Sequence, residues 1–455
     1  MWDNGCVLHR ADHADAAVRQ PARNALKTVA ALMLLLVALP VNLALTAVAF
    51  LRGLVFRSPR QTSPDRKTVL ISGGKMTKSL QLARSFHGAG HRVILIESRK
   101  YRLTGHRFSR AVDRFFTVPS PQASDYIDAL VQIVRREGVD VYVPVCSPVA
   151  SYYDARSKLA LSPFCQVLSC DAELVQQLDD KNEFAELASS LGLSVPDSRR
   201  ITAPEQVADF DFEAADRPYV LKSVPYDPVQ RLDLTELPRS TPQATADFVG
   251  TKSISEATPW IMQAFIPGVE YCTHSTVRNG NIQLHCCCRS SAFQLNYEMV
   301  DHPEIEAWVT AFVGALELTG QVSFDFIQAP DGTVYAIECN PRTHSAITMF
   351  YNHPGVADAY LNDGVATIRP LDSSRPTYWM YHELWGLLTQ PRTMASRLTT
   401  IARGKDAIFD WSDPLPFLMV HHAQIPWLLT MNLLHLGEWN KIDFNIGKLV
   451  EPDGD

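Results

Sequence analysis

Two neighbouring stretches of this chain put acids where apolar residues would ordinarily sit. Residues 321–327 (QVSFDFI) alternate, Asp331-Gly332 supplies turn chemistry, and residues 333–340 (TVYAIECN) return. Period two on both sides of such a turn predicts a β-hairpin. Asp325 falls mid-strand between two phenylalanines, and Glu338 falls at the end of an apolar strand. Two unpaired inward carboxylates would carry a heavy desolvation cost. A pair of Mg²⁺ ions bridging phosphates removes that conflict, because magnesium takes carboxylate and phosphate oxygens together. Asn340, two residues on and on the same face of an extended chain, adds a neutral oxygen. Pro341 forces an exit, and Arg342 offers a planar donor fork to a phosphoryl group. His344 and Ser345 come next; His344 is a candidate base, with a purely hydrogen-bonding imidazole as the plainer alternative.

Three further pieces supply cations and acceptors that suit a nucleotide. Residues 178–184 (LDDKNEF) open an amphipathic helix ending near Gly192, with Lys181 at its start. Residues 218–222 (PYVLK) are an apolar strand ending in Lys222, a point charge able to reach α- and β-phosphates. Taken alone, a strand-terminal lysine more often snorkels to solvent. Residues 260–271 (WIMQAFIPGVEY) read as a strand, a Pro-Gly turn and an acid opening the next strand. Gln263 and the backbone of Ala264, Phe265 and Ile266 suit the edge of adenine, and Glu270 suits the two ribose hydroxyls.

The elements that must carry these pieces begin with a β-α-β unit. Residues 68–71 and 93–96 are apolar strands around a helical period from Met76 to Phe86. Glu97 ends the second strand as a ribose-binding acid would. The intervening Ser72-Gly73-Gly74-Lys75-Met76-Thr77 matches neither G-x-G-x-x-G nor a Walker A loop, so a tight strand-to-helix turn is expected there. A strand at 140–145 follows a helix at 126–136, and Ser147 and Ser151 lie past its C-terminal end, where open α/β sheets place ligands.

Composition narrows the function classes. A net charge of −7 with no basic stripe excludes nucleic acid as an expected partner. Nine cysteines include no C-x-x-C pair, so buried thiols in a reducing cytoplasm are expected, not metal or disulfides. At the N-terminus, residues 28–51 carry no charge, but Pro40 and Asn42 are expected to break the run into two halves, each too short to cross a bilayer. A span or re-entrant hairpin, a helical pair packed on the protein or at a bilayer surface, and a cleaved leader all fit. The expectation taken forward is a cytoplasmic protein with membrane association through 28–51. The apolar stretch 425–434 is expected to cover that segment or to lie at a membrane surface.

The motifs at Lys181, Lys222, 263–271 and Asp325 through Glu338, Asn340 and Arg342, in that order, resemble the ATP-grasp superfamily. The resemblance covers roughly 176–370, with 67–175 resembling the superfamily's preceding domain. It implies an α/β architecture: a Rossmann-like domain before a two-lobed α+β ATP-grasp fold, behind an apolar N-terminal segment. The implied limits are 1–66, 67–175, 176–375 and a C-terminal extension 376–455. By the same resemblance Lys181 and Lys222 meet phosphates, Gln263 and its neighbours adenine, and Glu270 ribose. Asp325, Glu338 and Asn340 would hold Mg²⁺, with Mn²⁺ as the alternative, and Lys222, Arg342 and His344 would act on the transferred group. The glycine-rich phosphate lid of the superfamily is replaced by the proline-stiffened stretch Ser223 to Pro228, or supplied by 237–240.

A narrower similarity runs almost end to end, through residues 72–97, PVCSPVASYYD, and WSDPLPFLMVHH with IDFNIGKLVE. Here the chain resembles the ATP-grasp ligases of mycosporine biosynthesis. That implies condensation of glycine with a cyclohexenone acceptor, 4-deoxygadusol, with ATP cleaved to ADP and phosphate. The alternative is a carboxylate–amine ligase working through an acyl phosphate.

Overall fold

The computed structural model describes residues 8–55, 64–145, 147, 149–224, 233–290 and 296–451. One unbroken helix, α1 (Leu8–Val55), opens the chain. The expected break at Pro40 does not occur. A helical proline removes one N–H and crowds the preceding turn, but Pro40 sits on the exposed side. The helix is pinned on both flanks of it by buried Leu35 and Asn42. Asn42 is no breaker either: its Nδ2 lies 2.6 Å from the Tyr381 hydroxyl and 2.6 Å from Nε2 of His422.

The five strands β1 (Thr68–Ile71), β2 (Arg92–Ser98), β3 (Arg114–Val118), β4 (Val141–Val143) and β5 (Gln166–Val167) form a parallel sheet in the order β3-β2-β1-β4-β5. Helices α2 (Thr77–Gly88), α3 (Tyr126–Glu137) and α4 (Ser151–Leu161) connect them. β1 and β2 read as continuous apolar runs because a parallel sheet is covered on both faces; Val69 and Ile71 enter one core and Leu70 the other.

Glu97 accepts the N–H groups of Lys75 at 2.9 Å and Ser98 at 2.7 Å, so its oxygens fasten the loop after β1 instead of facing a ribose. Gly73 has φ +65°, and a Cβ there would lie 1.8 Å from the carbonyl oxygen of Val145. Gly73→Ala is therefore expected to destabilise the protein by about 3 kcal/mol, read from the urea midpoint, through both a left-handed backbone and a backbone clash. An unchanged midpoint would mean the loop is looser than drawn.

After α5 (Ala172–Asp179) and α6 (Lys181–Ser190) come two antiparallel lobes. The smaller sheet has the order β6-β8-β7, from β6 (Ser198–Ile201), β7 (Tyr219–Ser223) and β8 (Trp260–Ala264). The larger has the order β10-β9-β12-β13, from β9 (Val269–Arg278), β10 (Asn281–Arg289), β12 (Gly320–Gln328) and β13 (Val334–Asn340). The pair β11 (Asn296–Tyr297) and β14 (Thr377–Tyr378) joins β15 (Lys405–Asp406), and β16 (Lys441–Asp443) pairs with β17 (Lys448–Val450). Both faces of β10 are covered: Cys286 and Cys288 enter one core and Cys287 the other, all as free thiols. The C-terminal helix Ile425–Leu434 packs on α1, sharing a core with Leu35, Phe417 and Leu429.

Candidate active site

Asp325 and Glu338 are direct cross-strand partners on β12 and β13. Phe324 and Phe326, on the other face, are fully buried in the core beneath. A bulge sits beside the pair: Asp325 opposes Glu338, whereas Phe326 opposes Ala336, leaving Ile337 as the extra residue. In a regular strand Ala336 and Glu338 would share a face. The bulge puts Ala336 into the core and Glu338 into the cleft, the re-aiming such irregularities provide. On β9, Glu270 opposes Ile327 and Cys272 opposes Asp325, so Glu270 shares the face of the two acids.

The other lobe contributes the cations. Along β7 and β8 the residues Tyr219, Leu221, Met262 and Ala264 face a buried core. Alternation therefore turns Lys222 and Gln263 toward the acids. Lys222 Nζ donates to Gln263 Oε1 at 2.7 Å, and Gln263 Nε2 donates to Ser198 Oγ at 3.2 Å. Burial lowers the Lys222 pKa, opposed by Glu338, Glu270 and Asp325 and reinforced by Lys181. Lys181, at the first turn of α6, reaches Glu338 at 3.7 Å. Asp180 caps that helix by accepting the N–H groups of Asn182 and Glu183.

Asp325 shows the electrostatic consequence. Its carboxyl, at the bottom of the cleft, is raised to a pKa of about 7, first by desolvation, then by the charge of Glu338. Two acids held face to face at this cost fit a divalent cation. Among the described residues no group of three or more His, Cys, Asp or Glu side chains gathers.

The guanidinium of Arg342 is tied down, not open. Nη1 donates to Asp179 Oδ1 at 2.9 Å, and Nη2 donates to Asn340 Oδ1. One lone pair of Asn340 is thereby occupied and the other remains for a metal. Gln263 departs from expectation too, since its amide holds Lys222 and Ser198 and is not presented to a base edge. The N–H of Ala264 goes to Asp197 O at 2.8 Å and that of Phe265 to Pro218 O at 2.7 Å. Ala264 and Ile266 line a cavity of about 880 Å³ on the far face of the sheet, together with Phe210, Arg217 and Tyr219. By the same alternation the side chain of Phe265, which does not line that cavity, turns to the Lys222 side. Of the lid candidates, 225–228 lie outside the described residues. Leu237 is fully buried and exchanges backbone hydrogen bonds with Tyr219 at 2.7 and 2.9 Å, so it belongs to the small sheet and does not cover the cleft.

His344 does not have the character of a base. Burial, then Lys78 and Arg342, push its pKa down to about 3. Its Nδ1 accepts the N–H of Ala346 at 3.3 Å, capping the 3-10 turn Ser345–Phe350. His344→Asn keeps a cap acceptor. It should leave the shape of the kcat/KM–pH profile between about pH 6 and 8 unchanged. An acidic limb present in the parent and absent from the variant would restore the base assignment.

A cation that sequence reasoning overlooked also reaches this region. Lys78, buried on α2, donates to the carbonyl of Thr343 at 2.5 Å, beside Arg342 and His344. Nothing in the local sequence marks it; only the packing of α2 against the segment after β13 brings it there. Ser147 lies instead in a separate cavity of about 380 Å³ with Lys75, Glu97 and Tyr101.

No protein-family model matches the chain, and no curated protein matches it. Solved structures do. N5-carboxyaminoimidazole synthetase from Staphylococcus aureus complexed with ADP superposes with a TM-score of 0.51 at 15% identity, covering 70% of this chain and 82% of that one. A second structure of that synthetase gives a TM-score of 0.50 at 14% identity, covering 70% and 83%. At these identities the likeness is one of fold. The chain is thus an α/β protein with the ATP-grasp fold behind a Rossmann-like domain and an apolar N-terminal helix.

Proposed function

We propose that the chain is an ADP-forming carbon–nitrogen ligase that joins glycine to 4-deoxygadusol to give mycosporine-glycine. The observation that carries the catalytic part is the Asp325–Glu338 pair facing Lys181 and Lys222 across the cleft. The acceptor and the amine rest on the sequence resemblance. Asp325 and Glu338, with the remaining lone pair of Asn340, would hold Mg²⁺ or Mn²⁺, which neutralises phosphate charge when bound.

The chemistry needs a leaving group. An enol oxygen on the acceptor ring attacks the γ-phosphorus of ATP, and ADP departs as the bond to its bridging oxygen breaks. Glycine nitrogen then adds to the ring carbon, loses a proton, and phosphate leaves with the former enol oxygen. Lys181 and Lys222 would balance the charge of the phosphates, and Arg342, held by Asp179 just past the end of β13, would meet the transferred group. Lys78 adds a fixed positive charge next to it.

The test is purified protein with Mg-ATP, 4-deoxygadusol and glycine, followed for ADP and a new ultraviolet chromophore. Hydroxylamine in a parallel reaction should yield no hydroxamate, since an enol phosphate does not acylate it. Hydroxamate formation would instead establish a carboxylate–amine ligase, and absence of any 4-deoxygadusol-dependent ADP would remove the mycosporine reading.

A further inference from the structure

The polarity of α1 is reversed relative to a helix on the surface of a water-soluble protein. Its buried positions include Thr28, Asn42 and Thr46, whose spacing marks one inward stripe with Leu35 and Ala49. Two of the three polar side chains on that stripe have protein partners: Thr28 accepts the indole N–H of Trp439 at 2.8 Å, and Asn42 meets Tyr381 and His422, whereas the Thr46 hydroxyl is buried without a hydrogen-bond partner. The outward face is apolar, with Met33, Leu36, Val48 and Leu51 exposed, Val37 at 73% and Val41 at 69%. Asn24–Gly53 is only 22% buried over its most apolar window. Amphipathic surface helices turn polar groups outward; polar groups turned inward indicate an apolar medium outside.

The apolar face does not stop at α1. Tyr381, the partner of Asn42, lies on the helix Met380–Thr389. Leu384, Trp385 and Leu388 follow it at helical spacing and are exposed. They share the side of that helix that carries Tyr381, its contact with α1. Cation–indole pairs border it: Arg52 stands 5.4 Å from the Trp411 ring, and Arg102 stands 5.2 Å from Trp427 on the helix that packs against α1. Indoles and arginines beside an uncharged apolar strip suit the headgroup level of a bilayer.

Orientation follows from the contacts. Lys27 donates to the carbonyls of Trp439 and Asn440 at 2.8 Å each, and Arg52 meets Trp411 at the other end. The apolar stretch is thus fastened to the protein body along its whole length, roughly 40 Å at 1.5 Å per residue. A helix crossing the bilayer would drag that body through about 30 Å of hydrocarbon. We propose that the outward face of α1, with Leu384, Trp385 and Leu388, seats this protein on a lipid bilayer, the helix lying in the plane of the membrane.

The experiment uses the full chain bearing an epitope tag at each terminus, added to preformed vesicles of phosphatidylcholine alone or with a quarter phosphatidylglycerol. It should float with both kinds of vesicle, more of it with the anionic ones, and both tags should remain digestible by added protease. Val37→Glu with Val41→Glu should cut flotation at least tenfold while the melting temperature and ATP turnover stay at parental values. Leu384→Glu with Leu388→Glu, on a different helix, is the second variant in case the first does not fold. The proposal fails if the parent stays with the unbound protein or if folded variants float as well as the parent. It fails equally if one tag is protected, which marks a span, or if the face proves to be covered by a second copy in a dimer that does not float. Flotation, tag protection and melting temperature do not depend on the identity of the ligase substrates.

Discussion

Asp325→Asn should lower turnover by at least ~100-fold while the protein stays folded, the scale of losing a preorganised charge stabiliser. The substitution removes one of the two carboxylates that face each other across the β12–β13 pair, with Phe324 and Phe326 untouched beneath. The same change should stabilise the nucleotide-free protein at alkaline pH. The folded pKa of Asp325, about 7, lies above its ordinary 3.8. The folded state therefore binds the extra proton between those values, and stability falls as pH rises through that window. An asparagine cannot ionise. At pH 8 the variant should melt roughly 2–4 °C higher than the parent, and below pH 4 the two should coincide. Mg-ATP should raise the parent's melting temperature and fail to raise the variant's. Turnover equal to the parent's would remove Asp325 from the site, and with it the metal assignment.

Lys222→Met should also cost on the order of 100-fold in turnover, accompanied by a higher KM for ATP, because a fixed positive charge is lost from the phosphates. Methionine keeps the unbranched stem that packs along β7. Folding energetics pull in opposite directions here. Removing a buried ammonium relieves its desolvation, whereas Gln263 Oε1 loses the donor it holds at 2.7 Å. The unmet acceptor costs about 1–3 kcal/mol and the relieved charge offsets it, so the melting temperature should move little. Kinetics matching the parent's would show that Lys222 only holds Gln263 in place. A collapse in stability would show that the lysine supports the small sheet and does not meet nucleotide.

The surroundings of His344 and of Lys78 differ in what they do to a positive charge. His344 follows the metal strand closely enough to invite a role in proton transfer. Burial first, and then the charges of Lys78 and Arg342, make a third positive charge there unfavourable, so it remains a neutral cap. Lys78 tolerates burial because Thr343 offers it a carbonyl. In the reaction proposed above, deprotonation of the amine would fall to solvent or to the departing phosphate oxygen, neither of which requires a histidine.

What the sequence determined by itself is whatever depends on neighbours along the chain. The alternation of 321–327 and the Asp331-Gly332 turn specify the hairpin. The apolar runs around 70 and 95 specify parallel strands, and the lysine ending 218–222 specifies a charge at a strand edge. Each follows from a period of two or 3.6 residues, which is a local property. Tertiary structure decided the rest. The bulge at Ile337 turns Glu338 toward Asp325, although Ala336 and Cys339 both entering the core already break the alternation around it. Arg342 finds Asp179, Lys78 finds Thr343, and Gln263 finds Lys222 across gaps in sequence that no period spans. Pro40 and Asn42 look like breaks in isolation, yet α1 passes through them because a distant tyrosine and histidine satisfy the asparagine. Local propensity weighs about 1–3 kcal/mol at such positions, and packing against a partner hundreds of residues away outweighs it.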